Sequence, residues 1–319
     1  MHCHATIVVQ KALIGEIADV DLRLLRIFKA VVDAGGFSAA ELELNIGRST
    51  VSRHVADLEA RLGFVLCTRG RSGFALTEEG RLVHEAAQRL LASVETFRND
   101  VRGLQADLSG SLQLALFDKT ATNPQAHIAQ AVREFRAKAP AVDIEVSVDT
   151  ITAIEGGVLD GRFHLGITPD HRRSEALHYL PLFSERMELY CGKGHPLFDA
   201  APAVTLEELG RQDYVGLAFH SPNMEVTHRF GLHRRASVTD QEGVATLVLS
   251  GSFIGFLPDH YAESFVARGL LRRIGAPLVN YDVLFVAVSR RSPAPTRVAQ
   301  AFLECLARTH RDGTAATAS

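Results

Sequence analysis

Hydrophobic positions follow three successive rhythms along this chain. Between Asp21 and Leu62 they recur at helical spacing in short runs. Leu24, Leu25, Phe28, Val31 and Val32 predict a first helix, with Asp21 as its cap and Gly35-Gly36 as its stop. Ser38-Ala39-Ala40-Glu41 has the spacing of a capping box for a short second helix that ends at the Asn45-Ile46-Gly47 turn. In the third run Val51, Val55, Leu58 and Leu62 make one buried stripe. From Thr77 to Leu108 the rhythm becomes a four-three alternation: Val83, Ala87, Leu90, Val94, Phe97, Val101, Leu104 and Leu108. No proline interrupts it, and at ~1.5 Å per residue the helix would reach roughly 45 Å. That is too long to cover one stripe with the small head alone. A coiled-coil seam with a second copy is predicted, through Leu90, Val94, Phe97, Val101 and Leu104. An interior helix of a larger bundle is the alternative, but the flanking segments supply no other helices for one.

After Ser111 short apolar strands alternate with helices. Strands are predicted at Leu112 to Leu116, Val142 to Val146, Phe163 to Thr168, Met187 to Cys191, Tyr214 to Leu217, Ser252 to Leu257 and Val283 to Val288. Helices are predicted at Ala126 to Ala137, Ile154 to Val158, Gln241 to Leu249, His260 to Arg268 and Thr296 to Ala307. Such alternation implies a parallel-type α/β body, whose length suits two lobes with ligands at the strand ends.

The third helix carries the chemistry of the head. Arg48, Ser49, Ser52 and Arg53 lie off its buried stripe, on a face of short hydroxyls and guanidinium forks with no acid. Such a face suits a major groove, where arginine bridges guanine acceptors. Helix, tight turn with glycine, then amphipathic helix is the helix-turn-helix pattern. The stretch from Phe64 to Leu76 reads as a β-hairpin, with Arg69 and Arg71 at a glycine-flanked tip where they meet phosphate. Between Asn45 and Leu76, Arg48, Arg53, Arg61, Arg69 and Arg71 oppose only Asp57 and Glu59, a local excess of positive charge in a chain whose formal net charge is −3. A solvated helix face beside an arginine-bearing loop is the bland alternative for these residues.

The bulk composition describes an ordinary folded protein: 319 residues, 46% hydrophobic and 22% charged. No apolar run approaches the ~18 residues of a membrane span. Residues 1–20 lack the features of a secretory signal and read as a poorly ordered leader or an over-long start to the chain. Cys3, Cys67, Cys191 and Cys305 have no paired spacing, as expected of reduced cytoplasmic thiols rather than a disulfide framework or zinc site. Cys191 reads as a buried small hydrophobe. No Gly-x-Ser-x-Gly elbow, phosphate loop or metal-spaced histidine pair occurs, so neither an enzyme nor a cofactor is indicated. An enzyme or a free solute-binding protein built on the α/β body are the rival readings; the head argues against both.

The run from Leu25 to Gly63 (LRIFKAVVDAGGFSAAELELNIGRSTVSRHVADLEARLG), followed by LTEEG at Leu76 to Gly80, resembles the DNA-binding head of LysR-type transcriptional regulators. The remainder is similar to their periplasmic-binding-protein-like effector domain, through LDGRFHLGI at Leu159 to Ile167, GHPLF at Gly194 to Phe198 and GSFIGFLP at Gly251 to Pro258. The resemblance covers nearly all the chain except the leader and the tail after Asp312. It implies an α/β protein overall. A mainly-α winged helix-turn-helix would occupy residues 21–76 and a linker helix residues 77–109. A two-lobed effector domain would follow at 110–312, lobe I at about 110–181 and 283–312, lobe II at about 182–282, then a tail at 313–319.

Also implied are a homodimer or homotetramer on promoter or operator double-stranded DNA, RNA polymerase as a further partner, and a small-molecule effector between the lobes. By position, Arg48, Ser49, Thr50, Ser52 and Arg53 would contact bases and backbone, with Arg69 and Arg71 on the wing. The implied effector site is the loop after the first body strand, with Thr120, Thr122 and Asn123. Its hydroxyls and the following helix N-terminus suit a carboxylate. Opposite stand Phe219, His220, Ser221, Thr239 and Phe256, although a phenylalanine such as Phe256 is more often core than ligand wall. Three departures stand out. Gly47 replaces a common serine cap, Arg48 a frequent glutamine, and His164 a frequent aspartate.

Overall fold

The computed structural model describes residues 17–70, 73–102, 108–199, 204–218, 227–275 and 279–316. They form two compact units, one up to Arg98 and one from Asn99 onward. In the first, α1 (Asp19–Asp33), α2 (Phe37–Leu44) and α3 (Arg48–Leu62) precede a hairpin of β1 (Cys67–Gly70) and β2 (Gly73–Leu76), and α4 (Glu78–Arg102) follows. Leu24, Phe28, Val31, Val51, Val55 and Leu58 converge on one core, as their spacing predicted. The helix starts differ from expectation. Ala18 is the cap of α1, and Asp21 lies inside the helix, where its carboxylate accepts the Ala18 amide at 2.9 Å. Helix α2 begins at Phe37, with Gly36 as a cap that offers no side chain, so Ser38 caps nothing.

Phe74 of β2 meets Phe37 edge-to-face at 5.8 Å and ties the wing to the helices. Thr77 caps α4 by accepting the Gly80 amide at 2.9 Å. A Cβ on Gly80 would lie 1.9 Å from the Leu66 carbonyl oxygen, so only glycine lets α4 start this close to the wing. The predicted seam divides. Val83, Ala87 and Leu90 pack on the head core, and Leu108 packs on the core of the second unit. Leu104 lies outside the described residues. Leu90 is therefore a head residue in this subunit, whereas Phe97 and Val101 stay exposed at 67% and 49%.

The second unit is built on one nine-stranded mixed sheet. Its first part holds β3 (Ser109–Leu116), β4 (Ala141–Val148) and β5 (Leu165–Pro169), with α5 (Ile128–Lys138) and α6 (Ile151–Asp160) between them. Strand β6 (Leu177–Gly192) leads into α7 (Leu206–Gly210), β7 (Asp213–Leu217), β8 (His233–Val238), α8 (Gln241–Leu249), β9 (Ile254–Pro258), α9 (Asp259–Ala267) and β10 (Leu271–Arg273). Strand β11 (Asn280–Arg290) and α10 (Arg297–Ala316) complete the unit, so the last helix runs further than the predicted Ala307. The strand order is β4-β3-β5-β11-β6-β9-β7-β8, with β10 also on β6.

The expected parallel-type sheet needs correction. Strands β4-β3-β5 and β9-β7-β8 are parallel within their groups, but β6 and β11 are antiparallel to each other and to the strands beside them. These two long strands lie between the two parallel groups, and a register shift between Phe285 and Val286 interrupts their pairing. Phe183 and Phe285 stack at 4.9 Å beside it. The two parallel groups thus flank β11 and β6, and in such sheets a ligand usually sits at the carboxyl ends of the strands. Cys191 is fully buried on β6, and burial pushes its thiol up to about 11, the state of an inert hydrophobe.

Candidate nucleic-acid interface and effector site

Helix α3 presents its polar face through its N-terminal half. Arg48, Ser49 and Arg53 are exposed and Thr50 and Ser52 half-buried, while Val51, Val55 and Leu58 on the opposite face are sealed. Gly47 caps the helix without a side chain, so no cap oxygen stands in front of the first turn. The backbone amides there and the positive end of the helix dipole add to the two guanidinium groups, an arrangement that favours phosphate. On the wing, β1 carries Arg69 at the pairing position opposite Phe74, and Arg71 lies outside the described residues.

Two charges counted for this surface have structural duties instead. Arg61 donates to both carboxylate oxygens of Asp21, one bond being 3.0 Å, and the Arg61 hydrogen bond holds the Asp21 carboxyl below its ordinary range. Asp21 is 1% exposed, so Arg61 ties α3 to α1 rather than reaching for DNA. Glu59 is engaged too: its Oε1 accepts the Leu66 amide at 2.7 Å and the Cys67 amide at 3.3 Å, anchoring the approach to the wing. Both adjustments leave the outer face of α3 to Arg48 and Arg53.

In the second unit the loop after β3 reaches across to α8 and α9. Asp118 Oδ2 accepts the Gln241 amide at 2.8 Å at the start of α8, where Asp240 Oδ1 also accepts the Gly243 amide at 2.8 Å. Burial, opposed by that hydrogen bond, pushes the Asp118 carboxyl up to about 6. Lys119 adopts a left-handed backbone with φ of 62°. It pairs with Glu242, which also accepts the Tyr261 hydroxyl at 2.8 Å, and its ammonium lies 4.7 Å from the Tyr261 ring centroid. Thr122 Oγ1 meets His260 Nδ1 at 2.8 Å, and His260 Nε2 meets Glu185 Oε2 on β6 at 3.0 Å. Glu185 is buried, which raises its carboxyl above the usual range against the lowering effect of His260.

The predicted effector residues divide accordingly. Thr120 and Asn123 are buried, Asn123 donates to the Ser184 carbonyl at 3.3 Å, and Thr122 meets His260 of α9. Thr239 is exposed and donates to Asp240 at 3.1 Å beside the α8 start. Phe219, His220 and Ser221 lie outside the described residues. Phe256 is 1% exposed, wedged edge-to-face between Tyr214 and Tyr281, and belongs to the core. The helix after the loop does not start beside Thr122; α5 begins at Ile128 with His127 as its cap. Glu185, Gln241, Glu242, His260 and Tyr261 were not predicted. They lie far along the chain from the loop they meet, and no local pattern marks them. His164 accepts the Gln113 amide on Nδ1 at 3.1 Å, stitching β3 to the entry of β5; burial pushes its imidazole down to about 4.

A winged helix-turn-helix whose third helix exposes two arginines, followed by a two-lobed α/β unit, defines a DNA-binding regulator with an effector-binding domain. Residues 22–81 match the family described as bacterial regulatory helix-turn-helix protein, lysR family, and residues 105–311 match the LysR substrate binding domain. The chain belongs to the LysR family of transcriptional regulators. It is 42% identical over 295 residues to the HTH-type transcriptional activator BauR of Pseudomonas aeruginosa, covering 92% of this chain and 97% of that protein. It is 28% identical to the HTH-type transcriptional regulator PtxR of the same species, over 90% of this chain and 92% of the other. Full-length CbnR complexed with its target DNA shares the fold at a TM-score of 0.63 and 22% identity, over 90% of this chain and 99% of CbnR. The relatives are regulators rather than enzymes. Among the described residues no helix is long and apolar enough to cross a membrane, and no cluster of side chains is suited to a metal ion.

Proposed function

We propose that this chain is a cytoplasmic transcriptional activator that grips promoter DNA as a homodimer or homotetramer. In this reading Arg48, Ser49, Thr50, Ser52 and Arg53 enter the major groove, and Arg69 and Arg71 follow the phosphates beside it. Helix α4 joins two copies through Val94, Phe97, Val101 and Leu104. Residues 21–76 act as the reading head, 77–109 as the linker and 110–312 as the effector domain. An effector held by Thr120, Thr122 and Asn123 against lobe II, together with Phe219, His220, Ser221 and Thr239, changes how RNA polymerase is engaged. Activation is favoured by the 42% identity to a relative named as an activator.

The observation that carries the DNA assignment is the outer face of α3, where Arg48 and Arg53 stand exposed beside an uncapped helix start. Arg53→Ala should cost about 1–3 kcal/mol at the operator and relax its base preference. Fluorescence anisotropy with operator and scrambled duplexes, across a salt series, measures both. An Arg53→Ala protein with parental affinity and preference would remove α3 from the reading role.

A further inference from the structure

The junction between the two lobes is rich in hydrogen-bond acceptors and short of donors. Asp118 gives Oδ2 to the Gln241 amide, while its Oδ1 is buried and meets no donor among the described residues. Gln241 itself is only 4% exposed, and its Oε1 is also buried without a donor among the described residues. The hydrogen bond from the Gln241 backbone amide to Asp118 makes neighbours of the two residues that carry these acceptors. An acceptor left buried without a donor costs about 1–3 kcal/mol, and more when charged. Native proteins seldom tolerate such groups unless another species completes them.

Among the described residues, the neighbouring basic side chains do not supply the missing donor. Lys119 is directed to Glu242 and the Tyr261 ring, and His260 is held between Thr122 and Glu185. Acidic side chains outnumber basic ones around the gap: Asp118 on the loop, Asp240 at the cap of α8, Glu242 on α8 and Glu185 on β6 stand against Lys119 and His260. We propose that this junction takes a small molecule through a protonated amine, which donates to Asp118 Oδ1 and Gln241 Oε1. The proposal rests on the effector reading above and narrows its chemistry. A ligand carboxylate is disfavoured at the start of α8, where it would face the carboxylates of Asp118 and Asp240, which already accept the Gln241 and Gly243 amides. An ammonium matches both the unmet acceptors and the sign of the field. It would also favour ionised Asp118, whose carboxyl burial otherwise raises to about 6.

Three matched probes test this on the purified full-length protein: propylamine, 1-propanol and propionate, each titrated while the thermal midpoint is followed. Propylamine alone should raise the midpoint in a saturable way. Asp118→Asn should raise its half-saturating concentration about tenfold to a hundredfold, the worth of a charged hydrogen bond. Gln241→Leu should raise it about tenfold, the worth of a neutral one. Equal stabilisation by propanol or propionate, or an unchanged response in folded Asp118→Asn, overturns the proposal. Should Asp118→Asn fail to fold, the probe comparison on the parental protein and on Gln241→Leu decides alone. Operator binding in the same samples separates the two levels of inference. An operator complex modulated only by amine-free metabolites refutes the amine alone, whereas one that no small molecule modulates refutes the effector reading itself.

Discussion

Replacing Phe97 by aspartate should halve the mass of the particle in solution while leaving each head folded. The side chain is 67% exposed in the single chain, on the same helix stripe as Val94 and Val101. A phenylalanine buries roughly 200 Å² when fully covered, so a partner would remove roughly 130 Å² more from water. At about 25 cal/mol per Å² that amounts to about 3 kcal/mol. Two-fold symmetry uses the residue twice, giving about 6 kcal/mol as an upper figure, or about four powers of ten in dissociation constant. A dimer that holds at nanomolar concentration would then part near ~10 µM. Sedimentation velocity at ~1 µM protein reads the mass, and anisotropy with an inverted-repeat operator reads the loss of bivalent binding. Leu90→Asp is the counterpart. Leu90 packs under the head core, so this substitution should destabilise the head as well. A Phe97→Asp protein of parental mass and operator affinity would refute the seam.

His164 and Asp118 should shape acid stability in opposite directions. His164 falls from 6.5 to about 4 on folding, so its contribution is complete above 6.5 and is lost as pH drops toward 4, about 3 kcal/mol in all. His164→Gln should therefore flatten urea-derived stability between about pH 7 and about pH 4.5; an unchanged slope counts against the buried imidazole. Asp118 rises from 3.8 to about 6, so the folded state loses up to about 3 kcal/mol as pH climbs through that window. Asp118→Asn should raise the melting temperature at neutral pH more than at about pH 4, and a lower neutral midpoint would contradict the burial argument. Gly80→Ala should cost about 1–3 kcal/mol or more, because the new methyl meets backbone at Leu66 rather than a movable side chain. Head unfolding followed by circular dichroism measures that cost, and parental stability would mean that the α4 start and the wing approach can separate.

The helix-turn-helix was legible because its determinants are local. Val51, Val55 and Leu58 fall on one side of α3 by helical geometry alone, and Arg48 and Arg53 must then fall on another. Strand and helix alternation after Ser111 was legible for the same reason, down to α8, whose predicted and observed limits coincide at Gln241–Leu249. The antiparallel course of β6 and β11 was not legible, since apolar alternation carries no strand direction. Nor was the division of the α4 stripe. Val83, Leu90 and Phe97 obey one four-three rhythm, yet the first two cover the head and the third faces solvent. Arg61 counted toward the local positive charge, but Asp21, forty positions earlier, pairs with it. At the lobe junction, Asp118 meets Gln241 across 123 positions and Thr122 meets His260 across 138. A residue's periodicity and capping depend on neighbours within about one helical turn. Its charge partners and burial depend on which distant surface the folded chain brings against it, and that is set by the packing of all the elements together.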